Sequence, residues 1–264
     1  MIFSHSRLSC FEQCPLKFRY KYIDKVKTET EETIEAFLGK RVHESLEKLY
    51  HDLKLENMRS LNEILEFFNS SWEKNWDDNK VIINGNIGIE ERRNMGAKFL
   101  SGYYNRHSPF NHSRTVGLEM PIKVDLNGDG KFRIRGFVDR LSLSGNTIEI
   151  HDYKTGSRLP SAEHLAQDRQ LALYAMAARK MLPFANEINL VWHFLAFDRE
   201  IRTIPDEKHL EQVKCDTISL IEKINSEKEF PAKESALCAW CEFQQVCRKP
   251  KGRNLQEYIK LPAQ

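Results

Sequence analysis

The stretch NTIEIHDYKTG, residues 146–156, ends in an acid and a base that share one parity. Read as a strand, it points Ile148, Ile150, Asp152 and Lys154 to one face, because strand side chains alternate. A second acid, Asp139, stands in GFVDR on the preceding strand-like run. If Ser144-Gly145 is a two-residue hairpin loop, Phe137 pairs with Asp152 and Asp139 lies diagonally from Asp152 on the same face. A one-residue slip would turn Asp139 to the other face. Two acids pointing together repel, and burying them unpaired is costly. A divalent cation relieves both problems, and oxygen ligands at this density suit Mg²⁺ or Mn²⁺. A surface Asp–Lys pair beside an unrelated aspartate would give the same spacing.

The other chemistry-bearing residues are cysteines. CAWCEFQQVC places Cys238, Cys241 and Cys247 at C-x2-C-x5-C, three ligands for one metal centre. Cys10, Cys14 and Cys215 are candidates for the fourth, ahead of His5 and His209. Spacing alone does not separate zinc from iron–sulfur.

Three further residues interrupt apolar stripes on helices. His43 borders the stripe of Phe37, Leu38, Val42, Leu46, Leu49 and Leu53, where a boundary histidine and a ligand are both open. Gln170 and Tyr174, four apart, share a face with Ala166, Ala177 and Met181, and a buried amide there needs partners.

The elements that must position these residues follow from periodicity. Ser6 is read as the cap of a short helix to Gln13, and Pro15 as the start of another to about Ile23. Helical patterns cover about 32–53, 60–77 and 88–106. Strands follow at RTVGLEMPIKVDL, KFRIRGFVDRLSL and NTIEIHDYKTG, separated by NGDG and SGN turns. A helix spans roughly 163–182, a hairpin turns near Asp198 and Arg199, and a last helix covers about 206–227. This order predicts an α+β fold in one domain over 1–264. Its helical part is about 30–110, its core about 114–204 and its cysteine-rich segment about 230–250.

With 41% hydrophobic and 30% charged residues the composition is that of a soluble globular chain. The net charge of +2 hides basic ends: residues 1–28 carry six basic side chains against two acids, and residues 248–264 five against one. Such ends suggest an anionic partner. Phe18, Tyr20 and Tyr22 alternate with Lys17, Arg19 and Lys21, which suits either stacking on single-stranded nucleic acid or packing on one helix face. No apolar run approaches a membrane span of ~20 residues and no signal peptide is visible, so a cytoplasmic location is expected. The nucleotide-binding pattern G-x-x-x-x-G-K-[ST] is absent, which excludes ATP-driven unwinding by this chain.

The motifs together resemble the RecB-type branch of the PD-(D/E)XK nuclease superfamily. GFVDR (136–140), DYKTG (152–156), Gln170 with Tyr174, and Gly39 with His43 in GKRVHESLE occur in that family's order. Val138 stands where the superfamily name has proline, as is common in this branch. The resemblance implies a restriction-endonuclease-like core, a central mixed sheet flanked by helices, with a helical insertion. It implies that His43, Asp139, Asp152 and the Tyr153 carbonyl bind the metal and that Lys154 orients or helps deprotonate water. Gln170 and Tyr174 would position DNA. Arg140, of opposite parity to Asp139, could contact phosphate or form a structural pair. Glu119 resembles an acid often found on the preceding strand, either supporting a second metal or solvating a strand edge. His151, of the opposite parity to Asp152, is not expected in the site.

Cys14 before Pro15, with the C-terminal cysteine pattern, also resembles the iron–sulfur staple of AddB-type and CRISPR-associated RecB-like nucleases. That implies a 4Fe-4S cluster on Cys14, Cys238, Cys241 and Cys247, tying the chain ends together, with Cys10 a rival ligand. The implied function is a metal-dependent DNA exonuclease acting on single strands or ends, in repair, recombination or CRISPR adaptation. Helicases or CRISPR integration proteins are the implied partners. A non-catalytic DNA-end binding or assembly module, and a zinc-stapled protein of other function, are the alternatives.

Overall fold

The computed structural model describes residues 2–28, 32–77, 81–82, 87–185, 187–244 and 246–247. The basic C-terminal segment expected to join the N-terminal one lies outside these residues. The chain opens with α1 (His5–Gln13) and α2 (Pro15–Phe18), followed by a π-helical turn at Arg19–Ile23. The cap of α1 is Ser4 rather than Ser6: the Ser4 side chain accepts from the Arg7 amide. A two-residue strand β1 (Glu32–Thr33) leads into α3 (Ile34–Lys54), then α4 (Leu61–Asn75). Ser60 and Glu63 form a capping box at the start of α4. The short β2 (Val81–Ile82) pairs parallel with β1 and precedes α5 (Ile89–His107).

Five strands follow: β3 (Arg114–Asp125), β4 (Arg133–Ser144), β5 (Thr147–Lys154), β6 (Glu187–Phe194) and β7 (Arg199–Thr203). They form one sheet in sequence order. Only the β5–β6 pairing within it is parallel, so the sheet is mixed. The parallel step needs a crossover, which α6 (Ala162–Ala166) and α7 (Arg169–Met181) supply. The single helix expected over 163–182 is thus two, because Asp168 caps a new start by accepting from the Leu171 amide. The last long helix is α8 (Glu207–Ser226).

Two apolar layers sandwich this sheet. On one side α1, α7 and α8 bury Leu8, Leu171, Ala175, Leu210 and Ile221 against Ile148, Ile150 and Trp192. On the other, α3, α4 and α5 pack Phe37, Val42, Leu46, Phe68 and Leu100 together and reach the sheet at Tyr153 and Leu195. The architecture is α+β, a mixed sheet between helices. Among the described residues no helix is long and apolar enough to cross a membrane.

Candidate active site

The acids meet because of the β4–β5 register. Ser144 is opposite Thr147 and Arg140 opposite His151, so the hairpin loop is Gly145-Asn146 rather than Ser144-Gly145. Gly145, at φ 59°, takes the first loop position, where a type II′ turn favours glycine. This moves the register by two, which preserves every side chain's face. Continued one step, it sets Asp139 directly opposite Asp152 instead of diagonally. Asp139 Oδ2 accepts from the Tyr153 amide at 2.9 Å.

Helix α3 brings the histidine. Gly39 lets it approach the end of β5: a Cβ there would stand 3.2 Å from Thr155 Oγ1. One turn later His43 Nε2 meets the Tyr153 carbonyl at 2.8 Å, and Nδ1 lies 3.5 Å from Asp139 Oδ2. With Nε2–H donating to that carbonyl, Nδ1 keeps its lone pair for a ligand. Glu119 completes the group. The pairs Leu118–Arg140 and Met120–Val138 bracket it across from Asp139. His43, Glu119 and Asp139 each place a ligand atom within 4.8 Å of the others. Glu119 holds φ 41°, a strained conformation for a non-glycine residue.

These carboxyls are short of a counter-charge. Burial, with repulsion from Asp152, pushes Asp139 up to about 8. Burial and then Asp139 push Glu119 up to about 7. Acids that resist ionisation where they converge fit a bound divalent cation, which would favour their charged forms.

Asp152 is not part of that tight trio. Its Oδ2 lies 2.7 Å from Lys154 Nζ, an ion pair. Burial works against the lysine's charge, but the aspartate outweighs it and holds the ammonium above its ordinary range. Lys154 also donates to Gln170 Oε1 at 3.3 Å, and Gln170 Nε2 donates to the Tyr174 hydroxyl at 3.3 Å. Gly136 makes room for that tyrosine, since a Cβ would come within 2.5 Å of its ring. The glycine of GFVDR therefore serves the Q-x-x-x-Y pair, a role the sequence did not disclose. A Cβ at Gly156 would meet nothing within 4 Å, so no close approach demands glycine there.

Arg140 does not face the site, so of its two open readings the geometry goes against the expected phosphate contact and favours the structural pairing. It is 4% exposed on the opposite face, donates to His151 Nδ1 at 2.9 Å and lies 4.1 Å over the Tyr50 ring. His151 is on that face too, with Ser142, Glu149 and His193. The aromatic–basic alternation near the N-terminus is likewise consumed internally. Phe18 is buried and stacked on Phe230, and Tyr20 packs on Phe243 while donating to the Val246 carbonyl. Lys17 and Lys21 both pair with Glu242, at 2.8 and 3.0 Å.

Those contacts join the two cysteine-bearing segments. Cys14, Cys238, Cys241 and Cys247 are half-buried free thiols, and Cys14 Sγ accepts from the Lys233 amide at 3.5 Å. Among the described residues no three cysteine sulfurs lie within 4.8 Å of one another. Cys10 instead belongs to the apolar core, where burial pushes its thiol up to about 11.

Comparison with known proteins agrees with this geometry. The model of the PD-(D/E)XK nuclease superfamily matches residues 2–248. A crystal structure described as a "Putative exonuclease" from Eubacterium rectale superposes with a TM-score of 0.55 at 12% identity. It covers 95% of this chain and 91% of its own, which shows a shared fold. A second structure, described as SSO0001, aligns at 16% identity over 81% of this chain and 95% of its own. Its TM-score of 0.36 is too low to support an argument. No curated protein matches in sequence. With the family pattern spanning nearly all of its length, the chain belongs to the PD-(D/E)XK nuclease superfamily.

Proposed function

We propose that this chain is a metal-dependent deoxyribonuclease that hydrolyses phosphodiester bonds from single-stranded or unwound ends. The observation that carries the reading is the convergence of His43, Glu119 and Asp139 beside the Asp152–Lys154–Gln170 chain. His43, Asp139 and Glu119 would hold Mg²⁺ or Mn²⁺, with Asp152 and the Tyr153 carbonyl adjoining. When bound, such an ion supplies Lewis acidity to a phosphoryl oxygen and lowers the pKa of water.

The chain's own residues do the rest. Lys154, held charged, orients the attacking water and offsets the negative charge that builds on phosphate. Its ion pair with Asp152 favours the ammonium form, which suits a hydrogen-bond donor to the water. Gln170 fixes the ammonium's position, and Tyr174 fixes Gln170. The exonuclease name of the structural neighbour supports end-directed action. The test is digestion of 5′-labelled and 3′-labelled single strands with Mg²⁺, Mn²⁺ or chelator. Metal-dependent release of short products from one end is expected. Tight DNA binding without cleavage in any metal would instead favour the end-binding alternative.

We further infer a RecB-type assignment with a 4Fe-4S cluster on Cys14, Cys238, Cys241 and Cys247. The contacts of Lys17, Lys21 and Tyr20 with the C-terminal segment support it, since they bring the ligand-bearing segments together before any metal does. A role in repair, recombination or CRISPR adaptation, with a helicase or integration proteins, follows from this assignment.

A further inference from the structure

A second group of ligating side chains lies on the opposite face of the sheet, away from Asp139 and Asp152. His107 closes α5, His193 is on β6 and Glu200 on β7. Their ligand atoms lie within 4.8 Å of one another. Glu200 Oε2 stands 3.5 Å from His193 Nδ1 and 3.8 Å from His107 Nε2. The hydrogen bonds behind these residues dictate which nitrogens carry protons. Arg140 can only donate, so His151 Nδ1, 2.9 Å from its Nη2, is an acceptor. His193 Nε2, 3.0 Å from that same His151 atom, must therefore donate to it. A neutral His193 then turns a bare Nδ1 lone pair toward the Glu200 carboxylate. His107 Nε2 is buried there with no hydrogen-bond partner.

A cation between that lone pair, the carboxylate and the orphaned imidazole nitrogen would satisfy all three at once. The space for one exists: His107, His193 and Glu200 line a void of ≈ 10 Å³, about the size of a single water or ion. The ligands are also oriented from behind, as metal ligands are. His151 holds His193, and Arg202 Nε donates to Glu200 Oε1 at 2.6 Å. Buried Arg140 opposes a further positive charge, whereas Arg202, its side chain half-exposed, is neutralised by Glu149 and Glu200. An adjoining cavity of ≈ 290 Å³, lined by His107, His112 and Glu200, gives solvent a route to a fourth coordination position.

We propose that His107, His193 and Glu200 form a structural metal site that ties α5 to β6 and β7. Two imidazoles and one carboxylate select Zn²⁺, or Co²⁺ and Ni²⁺, over Mg²⁺. The site is independent of the nuclease reading, because it uses none of the residues assigned to cleavage.

The test is zinc titration of the chelator-treated full chain against a chromophoric competitor, comparing wild type with His107→Gln and Glu200→Gln. The cysteines and Asp139 remain in all three proteins, so their zinc cancels in the difference. Wild type is expected to take up one equivalent more than either variant. Equal uptake would overturn the proposal. Should both variants misfold, zinc-edge anomalous diffraction from wild-type crystals decides alone. A peak between the three side chains is expected, and ordinary water density without anomalous signal would overturn the site.

Discussion

Asp139 is buried beside Asp152, whose own carboxylate is paired with Lys154 at 2.7 Å, so among the described residues Asp139 is left without a lysine or arginine of its own. Parity alone put Asp152 and Lys154 on one face of a strand, and an error of two in the hairpin register left that face unchanged. Glu119 could not be placed that way, because its approach to Asp139 occurs at a strained φ that no pattern announces. A pH prediction follows from the buried acids. The folded protein holds the Asp139 proton up to about 8, well above an ordinary aspartate. In metal-free protein this group's stabilising contribution is full below about pH 4 and is lost as pH rises through about 8. Melting curves of metal-free protein from pH 4 to 8 should fall more steeply for wild type than for Asp139→Asn. Added Mn²⁺ should raise the wild-type melting temperature most at the alkaline end. Equal slopes for the two proteins would refute the assigned shift.

Among the elements, periodicity located the main helices and all five long strands to within a few residues. What it missed was where they come close. Two glycines separate the consequences. Gly136 lies against Tyr174, and Gly96 on α5 lies against Phe68 and Leu38, where a Cβ would come within 2.4 and 2.7 Å. Gly96→Ala should overpack the helical layer and cost about 1–3 kcal/mol of stability, with kcat retained in the folded fraction. Gly136→Ala displaces Tyr174, hence Gln170 and Lys154, and should lower kcat at temperatures where the protein stays folded. Denaturant melts paired with steady-state kinetics distinguish them; a Gly136→Ala enzyme with normal kcat would show that Tyr174 does not position the lysine. The polar layer of Arg140, His151 and His193 was equally hidden, since scattered histidines carry no period and meet only when β4, β5 and β6 align.

For the whole molecule, the link between the chain ends is the largest inference. Motif spacing revealed the cysteines, and folding brings Cys14 to the segment that carries the other three through Glu242, Tyr20 and Lys233. Closing a loop of that length restricts the unfolded chain strongly. Anaerobically purified protein should carry about four irons and four sulfides per chain. Cys238→Ser should lose them, whereas Cys10→Ser should keep them, because Cys10 is part of the apolar core. Zinc without iron would overturn the cluster.

On the proposed reading, Asp139, Asp152 and Lys154 cut DNA with a divalent metal. Its most direct test is the rate of cleavage of labelled single-stranded DNA in Mg²⁺ or Mn²⁺ by wild type, Asp152→Ala and Lys154→Ala, each shown to be folded. Metal-dependent cleavage by wild type and a loss of at least ~10²-fold in both variants are expected. Cleavage that survives both substitutions would contradict that reading.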